Sequence, residues 1–164
     1  IQYGYVKRPT HRNTSWDVSR FEVPAQKYVD LSDNNRGVAL LNDSKYGHKI
    51  HENIMDLNLL RSPTYPDADA DLGIHEFSYC FMPHKKDFIH SEVIQSALEF
   101  NQPPMIFVGK STKGVNPLLR VKDPSIGLEV VKRAEKEKWV SEVVESRAAK
   151  NAIKVCKRDY LSNN

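Results

Sequence analysis

Through the first half of this chain, apolar and polar residues change places at every second position. A period of two suits an extended strand with one wet face and does not suit a helix. In NIMDLNLL (53–60), Met55, Leu57 and Leu59 fall on one face while Asp56 and Asn58 fall on the other. FEVPAQKYVDL keeps Phe21, Val23, Ala25, Val29 and Leu31 in phase, and Pro24, which lacks a ladder donor, places this strand at a sheet edge or a bulge. GVALLN is short and nearly all apolar between the turn formers DNNRG and NDSKYG, the pattern of a strand covered on both faces between two tight turns. His75, Phe77, Tyr79 and Phe81 alternate with Glu76, Ser78 and Cys80, giving a fifth strand with an aromatic face, and PMIFVG (104–109) resumes the strand pattern.

One segment departs from this period. In DFIHSEVIQSALEFNQPP, Ile89, Val93, Ala97 and Phe100 recur at helical spacing beside Ile94 and Leu98, which predicts one amphipathic helix near 87–101, capped by Asp87 and ended by Pro103. The tail GLEVVKRAEKEKWVSEVVESRAAKNAIKV reads both ways: Glu, Lys and Ala favour helix, while its Val pairs and Trp139 favour strands. With 164 residues and no linker or repeat, the expectation is a single domain over 1–164. Its class is mainly β, an antiparallel β-sandwich carrying one helix.

Charge and cysteine usage narrow the function classes. The 24 Lys and Arg exceed the 21 Asp and Glu by three and are scattered along the chain, so no nucleic-acid partner is expected. No apolar run reaches the roughly 20 residues of a membrane span, and IQYGYVKRP is not a signal peptide. Cys80 and Cys156, without CxxC spacing, read as reduced, buried thiols. A start at Ile1, directly in strand-like residues, suggests a piece of something longer.

The chemistry-bearing motifs are incomplete. Asp67, Asp69 and Asp71 imitate a calcium loop, but its sixth position is Leu72 and its twelfth is Ser78, so both anchors fail and a solvated, loop-shaping role is expected. His48 and His51 in HKIHE would point to opposite faces of a strand and could not share an ion. His75 and His84 flank one strand without a nearby third ligand, which favours structural or surface roles. GKSTKG (109–114) lacks the upstream glycine of a phosphate loop, and no nucleophile elbow is present. Asn13 and Asn42 match the glycosylation pattern, with no secretion signal to give it meaning.

RPTHRNTSWD, GVALLND and LLRSPTYPDADADLGIHEFSY, within a similarity running over roughly residues 3–135, resemble the C-terminal region of glycoside hydrolase family 38 α-mannosidases. The resemblance implies a supersandwich-like β domain, with a helix after the Pro83–His84 pair. It implies a parent that cleaves α-mannosidic bonds with retention, using carboxylates and a zinc ion that all lie in an N-terminal catalytic domain. This chain would then contribute no catalytic residue and hold no metal or cofactor, and alone it would be inactive. Its partners would be that catalytic domain and, through it, an α-mannoside, in a cytoplasmic enzyme that leaves room for a homo-oligomer. Arg61 occupies the position similar to a family arginine close to the bound mannose, and is the one substrate-binding residue implied. The local alternative for Arg61 is an ion pair with Asp67, Asp69 or Asp71. A stand-alone carbohydrate-binding or protein-docking module is the competing function. An exposed row of His75, Tyr79 and neighbouring aromatics would favour that module, and a buried one the structural domain.

Overall fold

A computed structural model describes residues 1–2, 4–110, 126–133, 139–145 and 153–156. Backbone proximity divides the chain into two compact units, Lys7–Met105 and Ile1–Val6 with Ile106–Asn164.

The first unit holds two three-stranded antiparallel sheets, the sandwich elements that the period of two implies. One has the order β1 (Val23–Pro24), β4 (Gly47–His51), β5 (Ile54–Leu57); the other has the order β2 (Tyr28–Ser32), β3 (Arg36–Asn42), β6 (Tyr79–Lys85). β1 is an edge strand, as Pro24 requires, and Pro24 pairs opposite Gly47. FEVPAQKYVDL is nevertheless not one strand. Ala25 N–H donates to Tyr46 O, Lys27 turns at φ 65°, and the chain leaves one sheet for the other. Alternation survives such a crossing because it records which side is wet and not which strand is the neighbour.

β3 is the central strand of its sheet, and its run Ala39–Asn42 is buried on both faces, as the unbroken apolar pattern of GVALLN predicts. The turn before it is held by Asp33, whose carboxylate accepts the backbone N–H groups of Asn35 (2.7 Å) and Arg36 (2.9 Å). Those bonds favour the charged form and lower the Asp33 pKa.

Pairing register puts Tyr28, Asp30 and Ser32 on one face with Gly37, Ala39, Leu41, Cys80, Met82 and His84. Tyr28 stacks on Phe88 with ring centroids 5.7 Å apart, and the helix α2 (Val93–Asn101) packs against β2 and β3, so this face is the covered one. The core there comprises Ala39, Leu41, Phe88, Val93, Ile94 and Ala97. The predicted single helix over 87–101 is in fact two pieces. Asp87 caps a 3-10 turn, Phe88–His90, by accepting from His90 N–H, and α2 begins only at Val93. Ser91 breaks the run because its buried hydroxyl donates back to Phe88 O and so competes with helix continuation. Phe88 then takes the inward position expected for Ile89.

Two further expectations change. The strand read from His75 onward starts only at Tyr79, and PMIFVG is not a strand: Met105, Ile106, Phe107 and Val108 are all highly exposed. A short helix α1 (Ser15–Ser19) went unread because it has no apolar stripe; Thr14 and Asp17 hold it with reciprocal capping bonds.

In the second unit, the described parts of the ambiguous tail are extended. Strands β7 (Ile126–Arg133), β8 (Trp139–Glu145) and β9 (Ile153–Cys156) form an antiparallel sheet in that order, with a register shift between Leu128 and Val130. These described stretches are the ones that carry the Val pairs and Trp139, whose β-branched and aromatic side chains suit strands. Residues 111–114 of GKSTKG lie outside the described residues. No described helix is long and apolar enough to cross a membrane.

Candidate functional site

The segment 58–78 joins β5 to β6 without regular secondary structure. Loops of this length within compact units are uncommon, and are usually either functional or linker segments. Both of its ends are fastened to the β3–β4 region. Asn58 N–H donates to Gly47 O (2.9 Å), and at the other end Ser78 N–H donates to the Asp43 carboxylate (2.9 Å) while Asp43 N–H donates to Ser78 O (3.3 Å). These bonds lower the Asp43 pKa, the Ser78 N–H bond being the largest cause.

Inside the loop the aspartates bond to backbone, as loop-shaping residues do. Asp67 accepts from Asp69 N–H (3.0 Å), and Asp71 accepts from Ser62 N–H across the loop. His75 Nε2 lies 2.9 Å from Asp71 O, in position to donate. Ser62, at φ 48°, and Gly73, at φ 141°, sit in left-handed backbone. A glycine at the second position is relieved of Cβ strain. Asp71 thereby draws Ser62, the neighbour of Arg61, to the far arm of the loop.

Arg61 itself is exposed. Among the described residues the ion pairs are His11–Asp17, Lys49–Asp56, His84–Asp30 and His90–Asp87, and none takes Arg61. The local alternative, Arg61 with Asp67, Asp69 or Asp71, is therefore not formed in this structure. Among the described residues no group of three or more His, Cys, Asp or Glu side chains is gathered to hold a metal ion.

The histidines take structural places that their sequence spacing did not disclose. His48 is 1% exposed on β4; its Nδ1 lies 3.2 Å from Tyr46 O and its Nε2 3.4 Å from Asn42 Nδ2. Asn42 in turn accepts from Lys45 N–H at its side chain and from Asn101 Nδ2 at its carbonyl. One neutral tautomer satisfies this: Nδ1–H donates to the carbonyl and Nε2 accepts from the amide. The network joins β3, β4 and α2, and Asn42 is too buried to serve as a glycan acceptor in this fold. His51, three positions on, is half-buried on the opposite face of the strand and cannot join His48 at an ion.

Burial lowers the His48 pKa. The unfolded chain therefore binds this proton more readily, and stability from His48 is full above the ordinary value of about 6.5 and declines as pH falls below it. Urea midpoints between pH 7.5 and 5.5 should fall more for the native chain than for His48→Gln, which keeps hydrogen-bonding groups but cannot titrate. Parallel curves for the two would contradict a buried neutral imidazole.

The second cluster couples Asp30 and His84, 54 positions apart. His84 Nε2 lies 2.6 Å from Asp30 Oδ2, with side chains 4% and 7% exposed. Ser32 Oγ donates to the other carboxylate oxygen, and His84 Nδ1 is 3.3 Å from Lys85 O. Asp lies between Ser and His, and the Asp30 and His84 side chains are almost wholly covered, so the order and burial are those of a core clasp. No local sequence signal marks it.

Residues 1–69 match the profile of the Glycosyl hydrolases family 38 C-terminal domain. Over 137 residues the chain is 47% identical to Alpha-mannosidase 2C1 of Homo sapiens, a match covering 82% of the chain and 13% of that protein. The chain belongs to the C-terminal region of glycoside hydrolase family 38. It is also 52% identical over 100 residues to Alpha-mannosidase of Saccharomyces cerevisiae, covering 61% of the chain and 9% of that protein. Alpha-mannosidase G of Dictyostelium discoideum is 46% identical over 101 residues, covering 62% and 9%. The chain thus spans only a small part of the length of the relatives it matches. Arg61 lies inside the profile match, eight residues before its end at residue 69, and the loop 58–78 runs on past that end.

Proposed function

We propose that this chain is the non-catalytic C-terminal β domain of a retaining α-mannosidase. It completes the enzyme structurally, and Arg61 reaches the rim of the sugar pocket. The observation that carries the reading is the 47% identity over 137 residues to a protein named an α-mannosidase. The loop geometry supports the role of Arg61: a guanidinium without an ion-pair partner among the described residues, beside a backbone bond to Asp71, is free to give two parallel hydrogen bonds to sugar oxygens or to a carboxylate of the neighbouring domain. Bond cleavage, and any zinc, belong in this reading to the remainder of the polypeptide, in the cytoplasm.

Joined to that remainder, the chain should support hydrolysis of an aryl α-mannoside. Arg61→Ala should then lower kcat/KM about 10- to 100-fold, the scale of one lost charge-assisted contact, while the two parts still associate. Undiminished turnover would exclude the arginine role. Turnover by the 164-residue chain unaided would overturn the division of labour.

One observation favours the competing carbohydrate-binding module: Tyr79 and Phe81 are 60% and 64% exposed, and exposed aromatic rings can stack on sugars. Calorimetric titration of the chain with mannosides separates the two readings, since heat at millimolar ligand supports the module and its absence counts against it.

A further inference from the structure

Strand β6 ends its sheet, and among the described residues no strand pairs with its outer edge. Natural edges are blunted by proline, lysine, inward charges or short length. On β6 such devices sit only at the far end, at Pro83 and Lys85, while Tyr79–Met82 is left open. Register places Tyr79, Phe81 and Pro83 on the face opposite the one that α2 covers, beside Leu40, Val38, Val29 and Leu31. That arrangement leaves two large rings in water next to free backbone donors and acceptors.

We propose that the outer edge of β6 at Tyr79–Met82 is paired in the complete enzyme by an extended segment of the same longer polypeptide, whose apolar side chains cover Tyr79 and Phe81. The inference rests on the reading of this chain as part of an α-mannosidase and names the surface through which it is built in. An extended occupant is favoured because it satisfies the backbone groups of the edge together with the apolar face, whereas a helix would satisfy only the latter. The same polypeptide is favoured because matching relatives carry most of their length outside this stretch, which amounts to 13% of the human protein and 9% of the yeast protein. The exposed run Met105–Val108 is independent evidence that the described residues lack their full apolar cover.

The test compares the 164-residue chain, alone and mixed with the separately expressed remainder of the polypeptide, by hydrogen exchange, sedimentation and mannosidase complementation. Amides of β6 that point away from β3 should exchange freely in the chain alone and slow at least 100-fold in the complex. Phe81→Glu should leave the isolated chain folded, because the ring is exposed, and should weaken complementation at least tenfold, whereas Phe81→Leu should keep it. Arg61→Ala should keep association and lower kcat/KM about 10- to 100-fold. Association of Phe81→Glu at native strength, with no added protection of β6, would overturn this inference alone. A native chain that neither associates nor restores activity would overturn the functional reading as well. A dimer of the chain abolished by Phe81→Glu would assign the edge to a second copy and overturn the proposed occupant.

Discussion

Replacing His84 by Ala should destabilise the first unit by about 3–5 kcal/mol, the usual cost of removing one member of a buried charged pair. The loss is large because the Asp30 carboxylate stays behind, 7% exposed, with only Ser32 Oγ still bonded to it. In the native arrangement each ring nitrogen of His84 faces an acceptor oxygen, Asp30 Oδ2 and Lys85 O. The two residues lie on β2 and β6, on either side of β3, so the clasp ties the outer strands of one sheet across its centre. The double variant Asp30→Ala, His84→Ala should cost clearly less than the sum of the two single losses, because it leaves no orphaned charge. Urea unfolding of the four proteins measures this. A loss below about 1 kcal/mol for His84→Ala would mean that water enters and solvates Asp30.

Gly37→Ala should be nearly as damaging, at about 3 kcal/mol, through crowding and not through lost contacts. Gly37 pairs with Ser32 on one side and His84 on the other. A Cβ there would run into Ser32 Cβ and come within 2.6 Å of His84 Nε2. Neither neighbour yields easily: the Ser32 atom is attached to strand backbone, and the imidazole is held by Asp30. Ser32→Gly should restore part of the stability of Gly37→Ala by removing the closest contact, and a thermal or urea titration showing no such rescue would contradict the steric account. Both predictions concern one knot of three strands, so their effects should not add.

The strands were legible where one face is wet or where both are dry. Met55 and Leu57 turn inward and Asp56 outward on β5, and the apolar run of β3 is buried. What the alternation could not carry was partnership. Val23 and Val29 keep the same phase yet belong to different sheets, and the aromatic positions of 75–81 keep phase although the strand begins only at Tyr79. The helix was visible from its stripe, but its start was displaced by Ser91, whose hydroxyl bonds backward within one turn. PMIFVG has the composition of a covered strand and no described partner to pair with, and a sequence does not say where a partner lies. The clasp and the Asn42–His48–Asn101 network were out of reach for a related reason. Asp30 meets His84 and Asn42 meets Asn101 across 54 and 59 positions, distances that no local motif encodes. Arg61 was reached through family likeness; its geometry adds that none of the nearby aspartates neutralises it.

The segment 58–78 leaves and re-enters the unit at neighbouring points, Gly47 and Asp43, so its two feet share one footing. An insertion, deletion or wholesale exchange between those feet need not disturb strand register on either side. In the proposed role at the sugar pocket, this segment is therefore free to drift in length and chemistry while the sheets stay the same.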